Sequence, residues 1–387
     1  MELILKSEVK QDEYTNYIRD TFDIKVSDTA EVHIPNNLKL DRLKDWNVGV
    51  ICGASGSGKS TILRSLGEVA VANFDEKKPL ISNFAPMSPK EAAILLSSMG
   101  LASVPTWIRP FHSLSNGEQY RAELAKKVSM ESGIILVDEY TSVVDRTVAK
   151  SMSNALQKYI RRENKQIILA TCHYDIFEWL QPDWICDLNK GGTLEKGDCL
   201  RQGKPQIQLQ CYRTEYDTWN IFKKHHYMTS EMNKSAMCFC FTWEDKLVGF
   251  ASILPQIGRG VGKAKRMSRL VVLPDYQGLG IGRKILDFIG GICKNDGFKF
   301  FIKTINPRLG IYMENSDSWK PTHYNGKQRQ ERSEVLNGDK YWTLYTRPSY
   351  CFQYVGENIK GYENLMLHID DMRRIKNNEG QLTLFDL

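Results

Sequence analysis

The sequence predicts an α/β protein with two domains, each with its own sheet and helices. Short apolar runs alternate with segments of helical periodicity through the first 200 residues. The runs at 48–52, 133–138 and 166–170 have the length and continuity of strands that are buried on both faces of a sheet. A second α/β alternation follows a polar, glycine-containing stretch at 189–205, and 387 residues suffice for two separate cores.

The individual elements follow from periodicity. The segment 150–162 carries Met152, Leu156, Tyr159 and Ile160 at helical spacing. In the second half we expect strands near 236–254 and 268–273, a helix near 282–295 and a strand near 298–304. The predicted organisation is a first domain at 1–200, a linker at 189–205, a second domain at 206–372 and a flexible tail at 373–387.

Composition excludes several classes of protein. No run approaches the roughly 18 consecutive apolar residues of a membrane-spanning helix, and the first residues lack the pattern of an export signal. The nine cysteines include no Cys-x-x-Cys spacing, which favours reduced thiols and no zinc site. We therefore expect a cytoplasmic protein without a membrane partner. Its net charge of +6 is compatible with an acidic partner.

A complete phosphate-binding loop follows the first apolar run directly. Its glycines let backbone N–H groups surround phosphate oxygens, while Lys59 reaches the terminal phosphates of ATP and Ser60 supplies a ligand for Mg²⁺. The residues expected to bind nucleotide are Gly53, Ser55, Gly56, Gly58, Lys59, Ser60 and Thr61.

Two carboxylates follow the apolar run at 133–138. Asp138 is expected to hold Mg²⁺ together with Ser60, and Glu139 to orient and polarise the attacking water. An Asp-Glu pair after a strand is a weak signal alone, but it becomes a strong one beside a phosphate loop.

Here the sequence resembles the ABC ATPases. The segment 114–119, Leu-Ser-Asn-Gly-Glu-Gln, is similar to the signature motif of that family, with Asn116 and Glu118 as departures. The segment 142–145 resembles the D-loop, and His173 resembles the histidine that contacts the γ-phosphate. The resemblance covers roughly residues 40–190. It implies an ATP-dependent homodimer, in which Ser115 and Gly117 of one copy complete the ATP site of the other.

The segment between Lys59 and Ser115 is short for a transporter ATPase. No glutamine stands where the family's Q-loop, the usual contact to a membrane partner, is expected after Leu80-Ile81. The sequence therefore favours the soluble ABC ATPases that act on nucleic acid over those that drive transport.

A second glycine loop runs from a strand into a helix in the second domain. Its backbone N–H groups are expected to hold a pyrophosphate. The pattern resembles the acetyl-CoA motif of the GNAT family, which implies an acyltransferase of that fold using acetyl-CoA or another acyl-CoA. The expected binding residues are Gln277, Gly278, Gly280 and Gly282.

A tyrosine near the start of the next short helix has a GNAT counterpart. Asn306-Pro307 is expected to begin this helix. The family resemblance implies that Tyr312 protonates the departing CoA thiolate. The spacing from Asn306 is one residue shorter than the family's, and the alternative is a tyrosine that packs on the sheet.

The segment 225–235 and the hairpin after it resemble Mom-like transferases, GNAT-related phage enzymes that modify adenine in DNA. This resemblance implies that His226 and Tyr227 remove a proton from the acceptor nitrogen or orient it. The alternative is a packing pair at the end of a helix.

Two further segments admit both a functional and a structural interpretation. The run 259–269 carries five positive charges and no negative one, as in a solvated loop or a phosphate-contacting patch; they are Arg259, Lys263, Lys265, Arg266 and Arg269. Near the end of the chain, the segment from Gln381 to Phe385 resembles the peptide that binds the bacterial sliding clamp; the alternative is docking onto its own domain.

Three functions remain open on the sequence. The first is an ATP-driven or ATP-gated transferase that modifies DNA, and the second is an ATP-regulated N-acetyltransferase acting on protein or small-molecule amines. The third is a DNA-bound ATPase whose degenerate transferase domain only binds. The intact loop from Gln277 to Gly282 speaks against the third.

Overall fold

The structure is a computed structural model of the whole chain. It describes residues 2–22, 27–35, 38–40, 43–129, 133–196, 205–226, 231–258, 262–327, 330–333, 342–345, 349–367 and 385–386.

Helices and strands are numbered in chain order. The helices are α1 (Glu13–Phe22), α2 (Lys59–Leu66), α3 (Pro89–Ser98), α4 (Val104–Trp107), α5 (Asn116–Ser129), α6 (Arg146–Arg162), α7 (Phe177–Leu180), α8 (Trp219–Phe222), α9 (Ile281–Asn295) and α10 (Pro307–Glu314). The strands are β1 (Glu2–Glu8), β2 (Thr29–Pro35), β3 (Val48–Cys52), β4 (Ile134–Val137), β5 (Gln166–Thr171), β6 (Trp184–Asp187), β7 (Thr193–Lys196), β8 (Gln210–Thr214), β9 (Met237–Trp243), β10 (Lys246–Pro255), β11 (Ala264–Val272), β12 (Lys299–Thr304), β13 (Trp319–Pro321), β14 (Gln330–Ser333), β15 (Trp342–Tyr345), β16 (Tyr350–Tyr354) and β17 (Phe385–Asp386).

The chain divides into two compact units. The first comprises Met1–Asn73 and Glu123–Pro205, and the second comprises Phe74–Ala122 and Gln206–Leu387. The sequence assigned the segment 74–122 to the first domain, whereas in the structure it groups with the second. The reason is a set of polar contacts that this segment makes with the second unit's loops, described below.

A sheet in the order β4-β5-β3-β6-β7 forms the centre of the first unit. β3 is parallel to β5 and β6, β4 is parallel to β5, and β7 runs antiparallel. Ile51 and Ile168 are fully buried, as is Leu63 of α2, so apolar side chains fill the space between sheet and helix. The predicted strands and the predicted helix near 150–162 are confirmed. The parallel arrangement brings the carboxyl ends of β3, β4 and β5 to one edge.

The predicted linker at 189–205 differs from what is observed at its start. Residues 188–190 form a 3-10 turn, and β7 pairs with β6 through the register Asp187↔Thr193. Gly191 and Gly192, both at positive φ, allow the chain to reverse between the two strands. The polar, glycine-containing composition that predicted a linker between the domains therefore includes, at its start, the turn that joins β6 and β7.

A larger sheet, in the order β13-β16-β12-β11-β10-β9-β8-β17, forms the second unit. Its neighbouring strands are antiparallel except β11 and β12, whose parallel register covers only Ala264–Arg266 against Lys299–Phe301. Both strands continue beyond that register, to Val272 and Thr304, before α9 and α10 begin. Phe241, Phe250 and Phe300 are buried in this unit. The strands, the helix near 282–295 and the short helix after Asn306 were predicted and are confirmed.

The chain terminus is described only in part. Phe385 and Asp386 form the short strand β17, which pairs antiparallel with Cys211 and Gln210 of β8. The remaining tail residues, including Gln381 to Leu384, lie outside the described residues. The backbone pairing at 385–386 agrees with docking onto the chain's own domain, the alternative to a clamp-binding peptide.

In the part of the chain that the structure describes, no helix combines the length and apolar character needed to cross a bilayer.

Candidate functional site

The phosphate loop connects β3 to α2 and shows how the sequence forms an anion site. Gly58 is the residue before α2 and has a φ of 92°, where a Cβ would lie 2.6 Å from Ile34. Only glycine therefore fits without displacing that side chain. The Lys59 ammonium donates to the carbonyls of Gly53 and Ala54, at 3.0 and 2.7 Å. The lysine thus bridges the loop on which the phosphates are expected to lie.

Asp138 and Glu139 follow β4 at the same edge of the sheet. The Ser60 hydroxyl donates to Oδ1 of Asp138 at 3.0 Å, so the two oxygens proposed as Mg²⁺ ligands are adjacent. The backbone N–H of Glu139 donates to the same carboxylate oxygen at 2.9 Å. Glu139 itself is exposed and has a φ of 50°, an uncommon conformation for a side chain of this size. The turn orients the Asp138 carboxylate toward the loop and leaves the Glu139 carboxylate accessible.

His173 follows β5, the neighbouring strand. Its Nδ1 lies 2.9 Å from the hydroxyl of Thr141, and its backbone N–H donates to the Thr171 hydroxyl at 3.1 Å. Burial, and then the nearby Arg146 guanidinium, lower the pKa of His173, against the opposing effect of Asp175. The imidazole is therefore held neutral, and its Nδ1 is occupied by the Thr141 contact. Thr141 has a φ of 68° and was not singled out from the sequence.

A third group of polar residues supports the loop from the β6 side. Oδ1 of Asn189 accepts from the backbone N–H of Ala54 at 3.0 Å, and its amide donates to the Tyr174 hydroxyl at 3.0 Å. That hydroxyl donates in turn to Asp187 at 3.0 Å. The sequence motifs did not point to these residues: Asn189 is the first residue of the predicted linker, Asp187 lies just before it, and Tyr174 follows His173 directly. A search for polar residues at the end of each parallel strand would have found them.

The segment resembling a signature motif lies in the second unit, at the beginning of α5. Ser115 and Glu118 form a capping box: the Ser115 backbone N–H and hydroxyl each donate to Oε2 of Glu118 at 3.0 Å. The Thr106 hydroxyl donates to the other oxygen at 2.9 Å. Burial acts to raise the pKa of Glu118, but these hydrogen bonds outweigh it and hold the pKa below its ordinary value. Glu118, a departure from the family pattern, thus fixes the exposed Ser115, and Gly117 lies half-buried between them.

The loop from Gln277 to Gly282 connects β11 to α9. Gly278 and Gly280 have φ values of 95° and 90°, and Gly280 is the residue before the helix. Gly282 lies within the first turn of the helix, where backbone N–H groups have no intrahelical acceptor. Arg283 and Lys284 follow in the same turn, which contains no acidic residue. Two cations at the positive end of a helix dipole are unfavourable unless an anion binds there, so the residues fit a pyrophosphate.

The side chain of Gln277 is used within the protein. Its Oε1 accepts from the backbone N–H of Ala102 at 2.7 Å, and its Nε2 donates to the carbonyl of Val272 at 2.9 Å. Gln277 therefore holds the loop between β11 and the segment 74–122. Its side chain is committed to positioning, which leaves anion binding to backbone N–H groups and the cations of α9.

Tyr312 on α10 donates a hydrogen bond to Oδ2 of Asp287 on α9, and Trp319 donates to Oδ1 of the same residue at 2.7 Å. Burial, followed by the bond to Asp287, raises the pKa of Tyr312 to about 12. Burial also raises the pKa of Asp287, although the Tyr312 and Trp319 bonds oppose it. The phenol proton is directed at Asp287. This agrees with a tyrosine that packs within the domain, which is the alternative to a tyrosine that protonates the CoA thiolate.

His226 is buried, with 9% of its surface exposed, and meets Trp219 edge to face at 5.7 Å between ring centroids. Burial, and then the Arg269 guanidinium, lower the pKa of His226 to about 4. The imidazole is therefore neutral near pH 7 and a weak base. These surroundings agree with the packing alternative. Tyr227, its predicted partner, lies outside the described residues.

The basic run is mostly strand β11 and does not form a uniformly solvated face. Lys263 and Arg266 are exposed. Lys265 is half-buried with its ammonium 4.3 Å from the centroid of the Phe298 ring, and burial lowers its pKa. Arg269 is also half-buried and donates to the Glu231 carbonyl at 2.8 Å. Arg259 lies outside the described residues. Alternation along the strand explains why charges adjacent in sequence do not share one surface.

Within the described residues, no group of three or more His, Cys, Asp or Glu side chains is arranged to hold a metal ion.

Comparison with known proteins finds similarity to one transferase family and to several ATP-binding proteins. Residues 204–310 match the acetyltransferase (GNAT) family. The chain is 26% identical over 166 residues to a phosphonates import ATP-binding protein of Hydrogenovibrio crunogenus, covering 41% of this chain and 57% of that protein. It is 31% identical over 136 residues to a ribosome protection protein of Bacillus subtilis, covering 32% and 23%. The chain has an ABC-type nucleotide-binding domain followed by a GNAT-fold domain.

A dimeric ATP-binding cassette solved in a post-hydrolysis state with ADP and phosphate is 19% identical, with a TM-score of 0.36, covering 46% of this chain and 95% of that one. The chain spans 57% of the length of the phosphonates import protein and 23% of the ribosome protection protein. The family match and the sequence relatives confirm the predicted fold class.

Proposed function

We propose that this protein hydrolyses ATP in its cassette domain and transfers an acyl group from acyl-CoA in its GNAT domain. The observation that carries the proposal is that each domain has a glycine loop leading from a strand into a helix, with cationic side chains beside it. Lys59 serves the first loop, and Arg283 and Lys284 serve the second. Both loops suit a phosphate-bearing substrate.

In the cassette domain, the proposed reaction is attack of water on the γ-phosphorus, with cleavage of the bond to the β-phosphate oxygen. Glu139 accepts a proton from the attacking water, and Lys59 stabilises charge on the terminal phosphates. Mg²⁺, held by Ser60 and Asp138, would neutralise phosphate charge. His173, positioned by the contact between its Nδ1 and the Thr141 hydroxyl, is proposed to contact the γ-phosphate. Ser115 and Gly117 from a second copy close the site, which makes the active form an ATP-dependent homodimer.

In the GNAT domain, an acceptor nitrogen attacks the thioester carbonyl carbon, and the carbon–sulfur bond breaks. The nitrogen loses a proton and the CoA thiolate gains one. The N–H groups around Gly278, Gly280 and Gly282 bind the pyrophosphate and so place the thioester beside β11. Tyr312 is the proposed proton donor to the thiolate. Because its hydroxyl donates to Asp287, the proton must leave that bond before it can reach sulfur.

We propose a base in DNA, adenine in the Mom-like case, as the acceptor. The supporting features are the exposed cations Lys263 and Arg266 on β11 and the Mom-like segment around His226. His226 and Tyr227 are then proposed to orient the acceptor, and the segment from Gln381 to Phe385 to tether the enzyme to a sliding clamp. One relative is named as a ribosome protection protein and another as an import ATP-binding protein. These names leave open which partner the cassette domain acts on.

Nucleoside mass spectrometry tests the proposal. DNA from cells expressing the protein should contain an acylated nucleoside that is absent when Gln277 and Gly280 are both changed. Purified protein should hydrolyse ATP and bind acetyl-CoA. Failure to bind acetyl-CoA would contradict the transferase assignment, and failure to hydrolyse ATP would contradict the cassette assignment.

A second candidate is an N-acetyltransferase that acts on protein or small-molecule amines. One observation favours it: among the described residues of the basic run, only Lys263 and Arg266 are exposed, a small electrostatic surface for a polyanion. Acetylated amines in the proteome, with unmodified nucleosides, would select this acceptor.

A further inference from the structure

Arg121 of α5 is almost fully buried, with 1% of its surface exposed, and its guanidinium lies against the loop that precedes α9. It donates to the carbonyls of Gly100 at 3.0 Å and Asp275 at 3.2 Å, and also to the carbonyl of Pro274. A guanidinium removed from water needs such acceptors, because leaving it unsatisfied costs several kcal/mol. The loop backbone is therefore held where the guanidinium donors point.

A second contact fixes the same loop two residues further on. The backbone N–H of Ala102 donates to Gln277, whose amide donates back to Val272 of β11. At Gly100, an added Cβ would lie 3.1 Å from the carbonyl oxygen of Gln277, so the two backbones are in close contact. The loop from Pro274 to Gly282, which we call the acyl-CoA loop, is thus packed against the segment 100–102 and is also hydrogen-bonded to Arg121.

The same helix that carries Arg121 begins next to Ser115. Six positions separate the two residues, which corresponds to about 9 Å along a helix. Glu118 lies between the two, and it is buried and hydrogen-bonded to both Ser115 and Thr106. All these residues belong to the second unit, together with the acyl-CoA loop. Ser115, which is proposed to contact ATP in a second copy, therefore lies at the start of the helix whose Arg121 holds the loop that contains Gln277.

We propose that Arg121 is a positioning residue for acyl-CoA binding, and that engagement of Ser115 by ATP in the dimer strengthens that binding through α5. This inference rests on the proposed function. The two states are the free chain and the ATP-bound dimer. Fixing the start of α5 fixes Arg121, which in turn holds the backbone of Pro274 and Asp275 in the conformation that presents the pyrophosphate cradle. Linkage requires that acyl-CoA strengthen ATP-dependent dimerisation by the same factor.

The test uses the full chain with Glu139→Gln, so that ATP is retained. Acetyl-CoA is titrated calorimetrically with and without ATP and Mg²⁺. We expect the Kd for acetyl-CoA to fall about five-fold or more with ATP, the lower range of allosteric coupling. We also expect the ATP concentration for half-maximal dimerisation to fall by the same factor with acetyl-CoA.

Two further variants locate the coupling. Arg121→Lys keeps the charge but cannot donate to three carbonyls in one plane, and it should abolish the ATP effect on the Kd. Ala102→Pro removes a single N–H and should reduce the effect even if Arg121→Lys folds poorly. Arg308→Lys is the matched control, because Arg308 donates to Ser97 and so joins the same segment to α10 instead of the loop. It should preserve the effect.

The outcomes are distinct. An acetyl-CoA Kd that is identical with and without ATP, in a chain that binds both and dimerises, overturns the coupling but not the proposed function. Persistence of the full effect in both Arg121→Lys and Ala102→Pro overturns the role of α5. Absence of any acetyl-CoA binding overturns the proposed function itself.

Discussion

The hydroxyl of Ser60 and the carboxylate of Asp138 meet at 3.0 Å, although 78 positions separate them in the chain. Ser60 lies in the first turn of the helix after β3, and Asp138 follows β4, with β5 lying between these strands in the sheet. Two oxygen ligands therefore stand together at the edge where parallel strands end. This pair marks the position of the proposed metal ion. Because Glu139 directly follows Asp138, the same contact places Glu139 near the phosphate loop.

Glu139→Gln should lower the rate of ATP hydrolysis by at least about 100-fold, the effect of losing a general base. The amide cannot accept the proton of the attacking water, whereas the phosphate loop is untouched, so ATP should still bind. We expect the variant to accumulate as an ATP-dependent dimer, measured by light scattering. Glu163→Gln, at the end of α6 and outside the site, is the control. Normal turnover in Glu139→Gln, or a monomer at saturating ATP, would exclude the proposed role of Glu139.

Gly280→Glu should weaken acetyl-CoA binding at least about ten-fold, or about 1.4 kcal/mol. The new carboxylate would stand at the helix end where the pyrophosphate is proposed to bind, and it would repel that anion. Gly297→Glu is a matched control, since Gly297 also has a positive φ, 76°, and lies after the other end of α9 with open space around it. Equal affinities for the two variants, measured by calorimetry, would remove the loop from the binding site.

The motifs at strand ends could be predicted from sequence: the glycine loop, the carboxylates after β4 and His173 after β5. The parallel sheet then brings these residues together at one edge. The Arg121 contacts could not. An arginine on a polar helix is typical of an exposed face, and its acceptors are backbone carbonyls 153 and 154 positions away, which carry no sequence signal. Glu118 was noted only as a departure from a family pattern. The spacing Ser-x-x-Glu, however, is a capping box that could have been recognised.

The stability of the GNAT domain should fall as pH decreases from about 6.5 to about 4. His226 has a pKa near 4 when folded, against an ordinary value of 6.5, because it is buried. Between these values the unfolded chain binds a proton that the folded chain does not, so acid favours unfolding. The loss should total about 3 kcal/mol below pH 4 and should be absent above pH 6.5.

Urea unfolding of the full chain across this pH range measures the effect. His226→Phe, which preserves an aromatic contact to Trp219, should flatten the dependence. The exposed His112 provides the comparison, and His112→Gln should leave it unchanged. If the unfolding free energy of His226→Phe depends on pH as steeply as that of the parent, the acid sensitivity comes from other groups.

Removing residues 381–387 should expose the edge of β8. Phe385 and Asp386 pair with Cys211 and Gln210, so deletion removes backbone partners there. We expect faster amide exchange within 210–211 by hydrogen–deuterium mass spectrometry, and no change in β13 at the opposite edge of the sheet. DNA affinity in vitro should be unaffected, while modification in cells should fall if the segment also binds a clamp. Unchanged exchange at 210–211 would contradict the strand pairing.

If the GNAT domain contacts phosphates, its affinity for duplex DNA should fall as salt rises, since each contact contributes about −0.9 to the slope of log K against log salt. The exposed Lys263 and Arg266 are the described cations of the basic run best placed for this. Lys265 and Arg269 are half-buried against Phe298 and Trp219 and should contribute less.

Changing Lys263 and Arg266 to Ala should therefore weaken binding and reduce the magnitude of the salt slope by at most about 1.8, with acetyl-CoA affinity intact. Lys246→Ala with Lys320→Ala, two exposed lysines elsewhere on the same domain, is the charge-matched control. Such contacts position DNA without selecting a base, and a stacked base must be flipped out or met in a single strand, at a cost of a few kcal/mol. The protein should therefore prefer single-stranded over duplex substrate in a modification assay. If the Lys263 and Arg266 variant binds and modifies DNA like the parent, DNA contact through these two residues is excluded. If the parent itself neither binds nor modifies DNA, amine acetylation becomes the better supported function.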